Sequence, residues 1–440
     1  MNQELKDLCN WAIKTAKNYG ATDCKAIASK RRFVKINYLD HKPETIKEAT
    51  TQSLTVEVFI NNKYSNQSTP DLKKSALEKF IKRAVENTHF MDDDAFRSLP
   101  DEKYYDLSLQ KDLKRLDASH QSFSATERHE IAKTLEIACI KQGGDKVISV
   151  EAGCNDYYTQ QVLLNSKGFE GSKEDTQYWA GASLSAQGEG DRKPQGSHWV
   201  GACIKNDLPD LDEVGKQAAN NALQLIGAKK IKTEKLPIII ANRNVGRVFR
   251  GFLNACNGQS IQQQQSFLID KKGEKIGSDL FTVIDDPFVE KGMGSRLFDH
   301  DGLSAKKSMP LEKGVLNQYY IDWYYSRKLE VEPTSAYTSN LTIPKGTKPI
   351  EELMKELGRG VLINGFIGGN SNGTTGDFSV GINGHLFDNG ELAQPIAEMN
   401  IADNHLEFWK KLVAVGNDPW KYGRWNIPSL VFEDVVVSGT

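Results

Sequence analysis

The chain has no apolar run near the roughly 18 residues that a membrane-spanning helix needs; Pro237–Ala241 is among its longest. Its first residues lack a basic stretch followed by an apolar one, so no secretory signal is expected and the cytoplasm is the predicted location. Neither sign of charge dominates. The 56 Lys and Arg face 58 Asp and Glu, a net −2, which argues against a broad nucleic-acid-binding face. Paired cysteine motifs are missing too. Cys9, Cys24, Cys139, Cys154, Cys203 and Cys256 are scattered singly with no C-x-x-C, the pattern of buried free thiols in a reducing compartment. The eight histidines are equally dispersed. What remains is an ordinary globular composition, with 39% hydrophobic residues and 36 glycines in 440 residues. That length suits two or three domains with buried cores, and the composition excludes a disordered chain.

Apolar residues at three- and four-residue steps (Leu5, Leu8, Cys9, Ala12, Ala16) predict a first helix that closes near Gly20. Strand patterns follow, and Thr69-Pro70-Asp71 predicts the opening of a second helix through Leu77, Ile81 and Val85. After a polar connection broken by Pro100 the plan recurs. A helix carrying Ile131, Leu135, Ala138 and Cys139 ends at Gly143 and Gly144, strands follow, and Pro209-Asp210 opens another helix. A charged linker then leads to a strand over 236–241, a helix around 245–255, and many short strands with glycine turns. The predicted fold class is α+β: two helix and strand-meander units of similar topology, 1–115 and 116–228, then a strand-rich C-terminal domain, 229–440.

Chemistry-bearing motifs are mostly fragments. His129-Glu130 opens like H-E-x-x-H, but Ile131, Ala132, Lys133 and Thr134 follow, so the second ligand is missing and a solvated first-turn pair is expected. Asp299-His300-Asp301 is a dense polar triplet whose consecutive side chains point different ways, so a polar turn is expected ahead of a metal site. Gly369, Ser371 and Gly373 fit G-x-S-x-G, yet a glycine turn into a strand follows instead of a helix. No ordered acid and His partners can be assigned to that serine. The same glycines lack the pattern of a phosphate cradle and suit hairpin turns. The aromatic run Tyr319–Tyr325 is flanked by mixed charges, so a packing role is expected and no direct nucleic-acid binding.

Several ordered segments together resemble the TldD/PmbA family, whose branches are TldD and TldE (also called PmbA). They are 294–302 (GSRLFDHDG), 313–316, Ser339-Asn340 with Gly346, 376–384, 387–392, 415–418, 428–430 and the terminal Val437–Thr440. The likeness covers roughly residues 235–440; upstream it is one of length and element plan. The resemblance implies a relationship to a zinc peptidase branch, TldD, with H-E-x-x-x-H on a helix and a Cys near the C-terminus. Such a set leaves zinc an open position for a water whose proton the Glu moves. Laid onto this chain, the first His becomes Arg250, the Glu becomes Gly251, the second His becomes Ala255 and the Cys position becomes Val415. Arg250 would set a fixed positive charge where a dication should sit.

The resemblance therefore points to the TldE-like branch, a zinc-lacking subunit that pairs with a TldD-like chain around extended or unfolded peptides. It also implies links to peptide-antibiotic maturation, to antitoxin degradation and, by older naming, to modulation of DNA gyrase. No cofactor is expected in this chain, and zinc is expected in a TldD-like partner. The matching residues Ser295, Arg296, Asp299, His300, Asp301, Asn340 and Asp377 are candidates for lining the cleft. Two further readings stay open: a self-associating peptide-binding or regulatory protein that forms a dimer without proteolysis, and an independent hydrolase built on Asp299, His300 and Asp301. Neither involves a membrane.

Overall fold

The computed structural model describes residues 2–439. In the first unit α1 (Gln3–Asn18) precedes β1 (Asp23–Leu39), β2 (Lys42–Ile60) and β3 (Lys63–Thr69), and α2 (Lys74–Thr88) closes it. In the second, α3 (Ala125–Gly143) precedes β4 (Val147–Asn165), β5 (Glu170–Ala186) and β6 (Gln195–Ala202), and α4 (Leu211–Leu223) closes it. The expected α+β repeat is present, and its two copies share one sheet. β1 and β4 pair antiparallel from Lys25↔Asn165 to Leu39↔Glu151, giving the order β3-β2-β1-β4-β5-β6.

The period of two along these strands sorts their faces. Cys24, Ala26, Ala28, Val34 and Ile36 of β1 and Val150, Ala152, Cys154, Val162 and Leu164 of β4 are buried on one face. The helices cover it. Leu5, Cys9 and Ala12 of α1 and Leu77 and Ile81 of α2 pack on the first half, and Leu135, Cys139, Val214 and Ala218 of α3 and α4 pack on the second. All six cysteines are buried and unpaired. Beneath α3, the Arg128 guanidinium holds Asp156 through two bonds of 2.5 and 2.8 Å, and His120 Nε2 lies 2.7 Å from the same carboxylate. Burial would raise Asp156, but the hydrogen bonds and charges of Arg128 and His120 hold it below the usual carboxylate range.

Local starts and stops follow side-chain chemistry. Ser124 and Glu127 form a capping box at α3, and Asp210 accepts from the Asp212 N–H to cap α4. The second helix starts later than Pro70-Asp71 predicts. Thr69 Oγ1 accepts from the Asp71 N–H and Asp71 Oδ1 from the Lys73 N–H, so those residues form a turn and α2 begins at Lys74.

The C-terminal domain opens with β7 (Glu234–Ile240), α5 (Asn242–Ala255) and α6 (Gly258–Gln262). There follow β8 (Val283–Asp286), β9 (Ser308–Glu312), β10 (Val315–Leu316), α7 (Trp323–Leu329), β11 (Asn340–Thr342) and α8 (Ile350–Leu357). The long strands β12 (Gly360–Ser371), β13 (Asp377–Asp388) and β14 (Glu391–Asn404) precede α9 (His405–Phe408), β15 (Leu412–Val415), β16 (Trp425–Asn426) and β17 (Leu430–Ser438). One sheet runs β10-β9-β8-β11-β16. The other runs β14-β13-β12-β7-β17-β15, and β14 also pairs with β17 at Asn400↔Ser438 and Ile401↔Val437, so the sheet curls back on itself. Aromatic rings fill the space under α5. Phe249 and Phe252 meet Phe281 and Trp409, the latter two stacked at 4.3 Å.

The first sheet's other face looks at this domain. Ile27, Arg31, Thr159, Gln161 and Lys173 line a cavity of about 650 Å³ whose far wall is the segment 293–300. Lys25, on the same face, reaches Glu57 at 2.9 Å, Asp301 at 3.1 Å and the His300 carbonyl at 2.9 Å.

Candidate functional site

The helix α5 organises the site. Val245, Val248, Phe249, Phe252 and Leu253 form its buried face, and Arg243, Arg247 and Arg250 recur at four- and three-residue steps on the opposite one. β7, in the middle of its sheet, delivers the chain to this helix. The Asn242 N–H donates to Ser429 Oγ and its amide to the Asp418 carbonyl, while the Asp418 carboxylate accepts from Ser429. The Asp418 and Ser429 segments of the resemblance thus fix where α5 begins.

The positions that match the zinc motif have clear surroundings. Arg250 is exposed, its guanidinium 5.7 Å from the centre of the Trp425 ring. A Cβ on Gly251 would lie 2.6 Å from Ser371 Oγ and 2.8 Å from His405 Nε2. Ala255 is buried in the domain core, and Val415 sits half-buried on β15 opposite Leu430. The zinc that the resemblance implies does not fit these residues: a guanidinium stands at one ligand position, the base position has no room for a side chain, and a methyl group in the core stands at another. Among the described residues no group of three His, Cys, Asp or Glu side chains is placed to hold a metal ion.

Sequence reasoning assigned Ser371 no partner, but the structure gives it one. Ser371 Oγ lies 3.0 Å from His405 Nε2, and Trp409 Nε1–H donates to His405 Nδ1 at 3.3 Å. With Nδ1 accepting, the proton of the neutral ring sits on Nε2 and is donated to the serine. A general base needs the opposite tautomer, and among the described residues it is Trp409, not a carboxylate, that stands behind Nδ1. Burial pushes His405 down to about 4, with only a small opposing effect from Asp403. The pair is a neutral hydrogen bond that closes the space beside Gly251. Ser371 itself ends β12, and the turn after it leads into β13.

The other candidates separate into those that line a cavity and those that build loops. Ser295, Arg296, Asp299 and His300 lie along the 650 Å³ cavity. Arg296 donates to the carbonyls of Thr338 and Tyr337 and stacks over the Tyr337 ring at 4.5 Å. Asn340 accepts from the Gly294 N–H and donates to Ser295 Oγ, pinning that loop from behind. Asp299 accepts from the N–H groups of Asp301 and Leu303, the polar turn its spacing suggested, and burial with the charge of Asp301 raises it to about 6. Burial also works against an ionised Asp301, but Lys25 holds it low. Asp377 is exposed and bonded to Thr375 and Asn404 at the start of β13, away from these cavities. The His129-Glu130 pair is not wholly solvated: His129 Nδ1 meets the Tyr38 hydroxyl at 3.0 Å.

A second cavity, about 710 Å³, runs along the arginine face of α5, between β6, the α4 end and the segment 422–425. A third, about 520 Å³, shares Arg250, Arg424 and Trp425 with it, and Arg424 also reaches the first. Arg243, Arg247 and Arg424 escape sequence reasoning, although the spacing of Arg243, Arg247 and Arg250 on a helix was the available signal.

Two models of the PmbA/TldA metallopeptidase family match the chain, the central domain over residues 119–226 and the C-terminal domain over residues 233–439. The chain is 26% identical to Metalloprotease PmbA of Escherichia coli O157:H7, over 99% of this chain and 96% of that protein. A crystal structure from Bacteroides thetaiotaomicron, described as a candidate modulator of DNA gyrase, is 34% identical, with a TM-score of 0.96 over 99% of both chains. TldE from Thermococcus kodakarensis, 18% identical, shares the fold with a TM-score of 0.86 over 98% of this chain and 100% of its own.

Proposed function

Because the chain belongs to the PmbA/TldD metallopeptidase family, we propose that it is the TldE-like, non-catalytic subunit of a two-component metallopeptidase acting on extended or unfolded peptides, with zinc held by a TldD-like partner. The observation that carries this reading is the state of α5, where Arg250, Gly251 and Ala255 occupy the zinc-motif positions and the Ser371–His405 pair fills the space a Glu side chain would need.

A scaffold role has support in the sheet beside α5. β7 pairs with β12 only at Val361–Ile363, so from Asn364 onward that edge of β12 has no strand partner among the described residues, and α5 side chains bond only its Asn364 and Gly368 carbonyls. Backbone edges of this kind recognise extended peptides by strand addition. The reading also places the complex in the cytoplasm, where six buried thiols stay reduced.

The test is association and activity. Co-expression with a family member bearing H-E-x-x-x-H is expected to yield a stable complex whose peptidase activity needs both chains and zinc. Peptidase activity from this chain alone, removed by a chelator and restored by zinc, overturns the reading. So does a stable homodimer that binds peptide and refuses any such partner.

A further inference from the structure

The wall of the 710 Å³ cavity contains Arg243, Arg247, Arg250 and Arg424 and not one Asp or Glu, in a chain whose acids outnumber its Lys and Arg 58 to 56. None of the four arginines makes an ion pair with a described residue. Arg243 and Arg247 are used in part, since Arg243 donates to the Ser197 and Asn364 carbonyls and Arg247 to the Gly368 carbonyl. Arg250 and Arg424 differ. Both are exposed, their guanidinium groups make no hydrogen bond or ion pair with a described residue, and both face the one Trp425 ring, at 5.7 and 5.5 Å from its centre.

Two further observations point the same way. Among the described residues the buried Trp425 indole N–H finds no acceptor, and the buried Nδ1 of His198 in the same wall finds no hydrogen-bond partner. A buried donor without an acceptor costs free energy, and two guanidiniums beside one ring repel each other. Partial desolvation and then the charges of Arg250 and Arg296 depress the Arg424 pKa, and the more distant Asp285 carboxylate offsets them only in part. The ligand group that suits the two guanidiniums is a planar carboxylate, which accepts paired N–H bonds from a guanidinium fork.

We infer that Arg250 and Arg424, with Trp425 between them, form a carboxylate-binding site that anchors an acidic side chain or the free C-terminus of an extended peptide in the α5 cleft. This deepens the function proposed above and rests on it only for the peptide nature of the ligand. A peptide fits the cleft better than a nucleic acid does. Arg250 and Arg424 already attend the Trp425 ring, and Trp420 meets His198 and Tyr422 edge-on at 85° and 81°, so few ring faces are open for base stacking. Asn364 and Phe366, from the unpaired edge of β12, line the same cleft, where an extended backbone would lie.

The experiment uses the full chain without a partner and four fluorescent probes read by anisotropy: a short peptide with Glu side chains and an amidated end, its Gln counterpart with a free end, the same Gln peptide amidated, and a short oligo-dT. The first or second is expected to bind about tenfold or more tightly than the fully neutral peptide, and which of the two does so identifies the carboxylate source. The double substitution Arg250→Ala, Arg424→Ala is expected to abolish that preference while leaving the neutral peptide and the melting temperature unchanged. Equal binding of charged and neutral peptides, a preference that survives the double substitution, or tightest binding to oligo-dT each overturns the site. Since no catalytic chain is present, such a failure leaves the subunit reading standing, whereas failure to assemble with a TldD-like chain leaves the anion site standing.

Discussion

His405 shows how one buried side chain can shape a site without performing its chemistry. Its Nδ1 accepts from Trp409 and its Nε2 faces Ser371, so any charge on the ring would lose both its solvation and its acceptor geometry. Burial places its folded pKa near 4 against an ordinary 6.5. The folded value lies below the unfolded one, so the unfolded chain takes up the proton first. The stability this residue contributes is complete above 6.5 and drains away as pH falls towards 4. At pH 5 the loss amounts to about 2 kcal/mol. Denaturant unfolding of the wild type and of His405→Gln at pH 7.5 and pH 5 checks it: the variant is expected to show a pH slope shallower by that amount. Identical slopes would contradict the assignment. Little of this was legible beforehand. The G-x-S-x-G spacing singled out Ser371, but its partner lies 34 residues away and meets it only because the β13–β14 hairpin returns the chain to α9.

At the scale of elements, the packing of α3 on the shared sheet depends on a buried charge cluster. Arg128 and Asp156 satisfy one another in a fork, and His120 completes the carboxylate's bonding. Replacing Arg128 by Met leaves a buried carboxylate without its cation, and an expected loss of about 3–5 kcal/mol follows. The double substitution Arg128→Met, Asp156→Asn is expected to recover part of it, and equilibrium unfolding measures both. Sequence reasoning found the helix itself, since Leu135, Ala138 and Cys139 share a face and glycines stop the chain. It did not find the cluster, because Arg128 and Asp156 look like any two polar residues until β4 passes under α3. The opening of α4 at Asp210 was readable from one cap; that of α2 was not, because Thr69 and Asp71 use the same side-chain chemistry to make a turn. The arginine stripe of α5 became meaningful only when Arg424 arrived on the loop before β16.

For the whole molecule, the joint between the shared sheet and the C-terminal domain includes one lysine. Lys25 is buried between Glu57 and Asp301; burial alone would discourage its charge, but the two carboxylates keep it protonated. Lys25→Met would strand Asp301 and uncouple the two bodies. The expected result in calorimetry is one cooperative transition in the wild type and two in the variant, the lower one several degrees below the original. A single, unshifted transition would show that the joint lies elsewhere. The repeated plan of the first two units was visible in the order of helices, strands and turn residues, but their fusion was not, because which edges pair is decided by contacts far apart in the chain. That fusion has a consequence for biosynthesis. β1 is 17 residues long, and one of its two edges stays open until β4 has left the ribosome as far as Asn165. Throughout that interval the nascent chain displays an unpaired strand edge of the kind that recruits chaperones or joins a neighbouring polypeptide. The polar, helix-poor stretch between α2 and α3 lengthens the wait, so the pace of translation across it sets how long the young protein stays vulnerable.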